Sequence, residues 1–312
     1  MTFRAHNSSD LDIGIRVEAF KWLHDQVAAV GDVLPIDLLR RGFTHEGARV
    51  PLMGPQGIFK PAVLPELPLS ITTAPDGPYD DAFTSAGLLT YRYRGTDPDH
   101  RDNVGLRRAM KQQKPLVYFH GVAKSRYLAV WPVFIVGDDP ATLAFLVAAD
   151  DEHRADSAAR NAGQIVSEVH EVEGRRAYIT ASVRVRLHQR GFRERVLRAY
   201  RDQCAICRLR HRDLLDAAHI IGDGESAGEP VVTNGLSLCK IHHAAFDHLI
   251  IGIRPDYVVE VHPKVLKESD GPMLRHGLQG LHNSSLVLPT ARHNHPDRDR
   301  LRERYERYSR VA

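Results

Sequence analysis

The sequence predicts an α+β protein of two domains: a mostly β N-terminal domain, and a C-terminal domain built on a small strand–strand–helix unit tied by metal. Three observations predict it. Short β-prone runs separated by Gly and Pro turns fill residues 43–150. A polar stretch rich in Ala, Asp, Glu and Arg, from Ala148 to Arg176, interrupts them. All three cysteines then fall in one segment, Cys204 to Asp247, among several histidines.

The totals agree. A chain of 312 residues can bury two cores of ordinary size. Its 43% apolar and 26% charged content is that of a soluble globular protein. The net charge of +3 and a pI near 8.7 give a mild basic excess, which matters for a polyanionic partner only where it clusters. Three cysteines cannot all pair, which argues against a disulfide framework and for a reducing compartment. The opening Met-Thr-Phe-Arg-Ala-His-Asn lacks the apolar core of a signal peptide. No run reaches the ~18 apolar residues of a membrane helix. The expected location is cytoplasmic, away from membranes.

Residues 1–42 read as a helical element ahead of the first domain. Ser8, Ser9 and Asp10 can cap a helix carrying Phe20, Leu23, Val27 and Val30, and Gly31 stops it. Ile36 to Arg41 offers a second helix, ended by Gly42. In residues 43–150, strands are expected at Leu88–Tyr93, Leu116–Val122, Tyr127–Val136 and Thr142–Val147, with a helix at Asn103–Gln113. Gly77-Pro78-Tyr79-Asp80-Asp81 and Leu89 to Asp97 interleave aromatics, carboxylates and arginines near strand ends. A pocket for one flipped base needs rings to stack on and a carboxylate to accept from exocyclic amino groups. Tyrosines in strands also serve simply as packing residues. Residues 151–189 read as a linker, with Tyr178–Leu187 alternating like a joining strand.

Residues 190–312 hold the chemistry. Phe192, Val196, Ala199 and Tyr200 form a helical stripe, and Arg193, Arg195, Arg198 and Arg201 occupy the other face, either solvated or touching phosphate. Cys204-Ala-Ile-Cys207 and Cys239-Lys-Ile-His242 are two ligand pairs that suit a closed, structural tetrahedral zinc. Between them, Leu214–Ile221 reads as a strand containing His219. A loop from Gly222 to Pro230 follows, and Asn234-Gly235 leads into a second strand, Leu236–Leu238. A helix then starts near Lys240. His243 and Asp247 share one of its faces, while His242 is free to turn to the cysteines. A His/Asp pair opposite a strand histidine suits a divalent ion that activates phosphodiester cleavage. Leu249–Ile253 and Tyr257–Val261 read as a hairpin, and Met273–Leu288 as loop. Leu301, Tyr305 and Tyr308 mark a basic helix, docked on this domain or touching DNA.

The order strand, His219, loop, Asn234, strand, His243 resembles the HNH, or ββα-metal, nucleases, in the subgroup stapled by zinc knuckles. The resemblance covers residues 190–260. It implies that His219 is the general base, that Asn234 ties the loop, and that His243 and Asp247 hold a catalytic Mg²⁺ or Mn²⁺. Cys204, Cys207, Cys239 and His242 would hold a structural Zn²⁺. Where many members carry Asp or His just before the base, this chain has Ala218; Asp216, on the same strand face, would fill that place directly or through a water. Earlier, Tyr79-Asp80-Asp81, a Tyr-Arg-Gly turn, Asp102-Asn103, a helix, Lys114-Pro115 and two closing strands resemble the SRA domain, a PUA-like barrel that holds a flipped modified cytosine. That resemblance covers residues 70–150. It makes Tyr79, Asp81 and Tyr93 the base-pocket candidates, with Asp80 and Tyr91 as alternatives.

Together these imply a modification-dependent DNA endonuclease of type IV-like restriction, acting on double-stranded DNA that carries modified cytosine. A single site cuts one strand, so double-strand cleavage implies a homodimer or two binding events. The alternatives are an HNH endonuclease without modified-base reading, and a catalytically inactive zinc-stapled DNA-binding protein with Ala218 as its symptom.

Overall fold

The structure, a computed structural model, describes residues 8–74, 84, 88–150 and 169–312. The chain divides into two units, Met1–Leu187 and His188–Ala312.

In the first unit, α1 (Ser8–Val30) ends where Gly31 takes a φ of +87° and its N–H donates to the Val27 carbonyl at 2.9 Å. β1 (Val33–Pro35) and α2 (Ile36–Arg41) follow. Gly42 ends α2 at a φ of +61°, where a Cβ would lie 1.9 Å from the Val50 carbonyl oxygen, so only glycine fits. β2 (Phe43–His45) and β3 (Ala48–Val50) form a small hairpin. The remaining elements are β4 (Ile58–Phe59), β5 (Ser70–Thr73), β6 (Leu89–Arg92), α3 (Arg101–Lys111), β7 (Leu116–Ala123), β8 (Arg126–Asp139), β9 (Ala144–Ala149) and the start of α4 (Val169–Ala199).

The main sheet runs β4-β5-β7-β8-β9-β6, antiparallel except for the parallel β5–β7 pair. β1 takes the β8 edge at Arg126–Leu128, beyond the reach of β9. The sheet curls enough for the Tyr91 hydroxyl on β6 to reach the Thr72 carbonyl on β5 at 3.4 Å. Among the described residues the edge strands β4 and β6 do not pair, so the expected SRA-like, PUA-like barrel is here a half-barrel. Alternation along β7 fills both faces. Val117 and Phe119 join Ile15, Ala19, Phe20 and Leu23 of α1, while Leu116 and Tyr118 join Leu106 of α3 and Val183 and Leu187 of α4. The N-terminal helices expected ahead of the β domain are therefore part of its core. Tyr178–Leu187, expected as a strand, is helical: Ile179, Val183 and Leu187 fall one turn apart on one face, and that repeat outweighs the local Val/Arg alternation.

The second unit takes the rest of α4, with Phe192, Val196 and Leu197 buried. β10 (Leu215–His219) pairs antiparallel with β11 (Gly235–Cys239), placing Leu215 opposite Cys239 and His219 opposite Gly235. α5 (Lys240–Asp247) follows directly, then the hairpin β12 (Ile251–Ile253) and β13 (Val259–Val261). Two short helices, α6 (Pro263–Leu266) and α7 (Pro272–Gly277), lead to α8 (Arg298–Ser309), which Asp297 caps by accepting from the Asp299 and Arg300 N–H groups. α8 docks within this unit. Leu301 and Tyr308 are buried, and Tyr308 lies so close to Gly252 that a Cβ there would sit 2.5 Å from its ring. Among the described residues, no helix is long and apolar enough to cross a membrane.

Candidate functional site

Cys204 and Cys207 lie on a turn after α4, and Cys239 ends β11, so that His242 follows within the first turn of α5. Their ligand atoms all lie within 4.8 Å of one another. His242 Nδ1 is 3.5 Å from Cys204 Sγ and 3.1 Å from Cys239 Sγ, and the Cys207 and Cys239 sulfurs are 3.9 Å apart. Tetrahedral zinc, with bonds of ~2.3 Å to sulfur and ~2.0 Å to nitrogen, sets its ligand atoms about 3.5–3.8 Å apart. The four residues could therefore hold zinc with little movement. The other histidine nitrogen, Nε2, meets the Gly277 carbonyl of α7 at 2.8 Å, which fixes the ring with Nδ1 towards the sulfurs. The region expected as loop thus supplies the outer support of the cage.

The strand pair and its loop are tied by Asn234, which is fully buried. Its Oδ1 accepts from the Ile221 N–H at 3.0 Å, and its Nδ2 donates to the carbonyls of Ile221 and Glu229, each at 3.0 Å. Both ends of the loop are thereby pinned to one side chain. α8 holds the same loop from outside: Arg307 meets Glu225 with two bonds of 2.9 and 2.6 Å, and Arg300 meets Glu229 at 3.0 Å. A third arginine of α8, Arg304, donates to the Phe246 carbonyl at 2.9 Å and lies 4.8 Å over the Phe246 ring, at the end of α5.

His219 sits at the end of β10 with its ring stacked on Phe192, centroids 4.0 Å apart. Gly235 opposite makes room: a Cβ there would come within 2.9 Å of Phe192 and 2.4 Å of Val196. Burial lowers the His219 pKa from its usual value, and nearby His243 adds to this against the charges of Asp223 and Asp247. The ring is therefore neutral near pH 7, and its buried Nε2 has no hydrogen-bond partner among the described residues. A general base requires a neutral imidazole with an unspent nitrogen, and also a path for water to that nitrogen, which is buried here.

On α5, His243 lies between two carboxylates. Its Nδ1 is 3.4 Å from Asp216 and its Nε2 3.3 Å from Asp247. Carboxylate oxygens suit Mg²⁺ or Mn²⁺, but these two carboxylates meet opposite nitrogens of the ring, and among the described residues only the cage residues gather three or more ligand atoms close enough for one ion. Asp216, however, is also engaged elsewhere: Lys240 Nζ lies 2.8 Å from each of its oxygens, and Arg193 Nε is 3.9 Å away. Burial alone would raise the Asp216 pKa, but Lys240 and His243 together hold it below the usual carboxylate value. Lys240 was not singled out from the sequence. Asp216 faces Leu238 across the sheet and Lys240 lies two residues further on, a diagonal neighbour that the register could have exposed.

Residues 204–254 match the family model for HNH endonucleases. The second unit carries an HNH endonuclease domain. The chain is thus a nuclease. Comparison with curated proteins gave no match. Among solved structures, a "Modification dependent TagI restriction endonuclease" is similar at 17% identity, covering 78% of this chain and 82% of that one with a TM-score of 0.29.

Outside the HNH domain, only Tyr93 and Tyr91 of the base-pocket candidates lie among the described residues. Tyr79, Asp80 and Asp81 lie outside the described residues. Tyr93, expected to stack on a base, is a core residue instead. Its ring packs 4.6 Å from Phe145, and its hydroxyl bonds to Asp138 and meets Arg107 at 3.3 Å. Tyr91 is likewise buried, its hydroxyl turned to Thr72. Both rings lie on the inner side of the curl, where packing claims them. The arginines beside the cage are partly committed too: Arg193 donates to the Leu215 carbonyl at 2.8 Å and Arg195 to Pro230 at 3.0 Å.

Proposed function

We propose that this chain is a metal-dependent DNA endonuclease in which His219 is the general base. The observation that carries this reading is the neutral His219 imidazole, its Nε2 unspent, on a strand that packs against the helix bearing His243 and Asp247. His219 takes the proton from the water that attacks phosphorus. Phe192 keeps the ring oriented and half-desolvated, so the nitrogen stays deprotonated and poised. Asn234 holds the loop after β10 and thereby the position of His219. His243 and Asp247 would hold Mg²⁺ or Mn²⁺, with Asp216 at the other ring nitrogen, 3.4 Å from Nδ1; the ion would supply charge stabilisation for the phosphate and the leaving 3′ oxygen. The expected products carry a 5′ phosphate and a 3′ hydroxyl. The zinc cage has no open position and serves to fix β11 against α5.

The finer reading is modification-dependent restriction, with the first unit flipping a modified cytosine out of the duplex. It rests on the order of sequence features in residues 70–150, and Tyr79 and Asp81 are its remaining pocket candidates. The burial of Tyr93 favours the second reading, an HNH endonuclease whose β unit does not read modification. The test is a cleavage panel with Mg²⁺ on plasmids that are unmodified, 5-methylcytosine-bearing, 5-hydroxymethylcytosine-bearing or glucosylated, using wild type and His219→Ala. Cutting confined to modified DNA supports the finer reading, and equal cutting of all substrates supports the second. If wild type leaves every plasmid intact, the nuclease reading fails.

A further inference from the structure

Several arginines of the second unit face carboxylates. Arg212 pairs with Glu194 and Asp202, Arg254 with Asp256, Arg300 with Glu229 and Arg307 with Glu225. Arg195, Arg198, Arg201 and Arg292 differ: all four are exposed, and none meets a carboxylate among the described residues. They border one strip. Arg195 and Arg198 lie on the outer face of α4, and Arg201 follows its end. The Arg201 guanidinium meets the Thr290 hydroxyl, two residues before Arg292. Arg195 donates to the Pro230 carbonyl at 3.0 Å. The 3₁₀ turn that follows, Val232–Asn234, packs on the 3₁₀ turn Arg292–Asn294, and the Asp297 N–H donates to the Thr233 carbonyl at 2.9 Å. The nearest carboxylates are engaged elsewhere: Asp202 with Arg212, Glu229 with Arg300, and Asp297 as the cap of α8. Although the Arg195 side chain is exposed, the protein packed around its head lowers its pKa from the usual value, and no carboxylate offsets this. The exposed large apolar side chains of the described residues include no aromatic ring. Fixed positive charge without rings to stack on suits phosphates, not unstacked bases.

We propose that Arg195, Arg198, Arg201 and Arg292 form a binding strip for the phosphodiester backbone of duplex DNA, outside the cleavage site. The inference rests on the reading of the second unit as a DNA nuclease, and adds where the duplex lies on it. Guanidinium forks hold phosphate oxygens whatever the base, so the strip positions DNA without reading its sequence. It also bears on the chemistry through α4. Phe192, three residues before Arg195, supports the His219 ring. One helix therefore carries the ring's support on its inner face and two of the four cations on its outer face.

The test measures duplex binding by the full zinc-loaded chain in a His219→Ala background without Mg²⁺, so that DNA stays intact. The anisotropy of a short fluorescein-labelled duplex reports binding from about 50 to about 200 mM salt, where each phosphate contact contributes about 0.9 to the slope of log affinity against log salt. Arg195→Gln and Arg198→Gln should each make the slope shallower by about 1, and glutamine at all four positions by about 3–4. Modified and unmodified duplexes should lose equally, because the contacts are to the backbone. Arg302→Gln removes an arginine that is paired with Asp299, and should leave the slope unchanged. Calorimetry checks that the second unit of the variant with all four changes still folds; if it does not, the two single variants decide. Unchanged slopes in the single variants, an equal change in Arg302→Gln, a loss confined to modified duplexes, or a loss on single strands that spares the duplex would overturn the inference. So would a wild-type strip on a chain that binds no duplex at about 50 mM salt. The plasmid panel decides the nuclease reading separately. Unchanged slopes with intact cleavage remove only the strip, whereas shallower slopes with no cleavage by wild type remove only the nuclease reading.

Discussion

Replacing Asn234 by alanine tests whether one amide holds the catalytic loop. The substitution removes three hydrogen bonds of 3.0 Å. Glu229 is exposed, so its carbonyl can turn to water, but Ile221 is buried and its N–H and carbonyl would both lose their partner. A buried group left unpaired costs about 1–3 kcal/mol, so the loss should be about 2–4 kcal/mol. For a unit of this size that lowers the transition temperature by on the order of 10 °C. The assay has a built-in control. Both tryptophans, Trp22 and Trp131, lie in the first unit. Tryptophan fluorescence should therefore melt as in wild type, while calorimetry shows the second unit's transition moving down. Asn234→Asp keeps the shape but turns a carboxylate towards two carbonyls, and should be at least as damaging at neutral pH. A calorimetric shift no larger than the roughly ±0.5 kcal/mol of an ordinary surface change would refute the reasoning.

Gly235→Ala would push a methyl to 2.4 Å from Val196 and 2.9 Å from Phe192, so we expect about 1–3 kcal/mol of destabilisation in a thermal melt, and slower nicking as the His219 ring loses its support. Because burial lowers the His219 pKa and the base acts when deprotonated, the acid limb of the pH–rate profile should have its midpoint below 6.5. A limb centred above 6.5 would count against His219 as the base. Cys239→Ser should lose zinc, measured by elemental analysis of the purified protein, and with it the calorimetric transition of the second unit. Exchanging Arg307 and Glu225 for one another should restore loop support that either single reversal weakens, read as recovery of the melting temperature.

The cysteine–histidine cage and the strand–loop–helix frame around it were largely legible in the sequence because their spacing is enforced by short elements. A strand ending at His219, a tied loop, and a helix starting directly after Cys239 leave few ways to place His242 and His243 except on different sides of α5. The four main strands and α3 of the first unit were legible for a similar reason, since each carries its own periodicity. What escaped was set by partners distant in sequence. The two-residue β4 and the three-residue β1 have no pattern of their own and exist through pairing with β5 and β8. Tyr93 has the composition of a binding residue, yet its neighbours Phe145, Asp138 and Arg107 make it a core residue. Lys240 reads as a spacer between two cage ligands until the sheet register brings Asp216 beside it.

The adjacent histidines of α5 also set how the enzyme would lose function over time. His242 is almost wholly buried among the cage cysteines, whereas His243 borders Asp247, whose side chain is 55% exposed. A chelator would reach the two ions at different rates. The open site would empty first, and added Mg²⁺ would restore cutting at once. The cage would empty later, through local opening, and β11 and α5 would loosen with it. Loss of activity in chelator should thus proceed in two phases, an early one that Mg²⁺ reverses and a late one that only zinc and refolding can. The lag between them would measure how firmly the cage grips the helix that carries His243 and Asp247, the proposed ligands of the second ion.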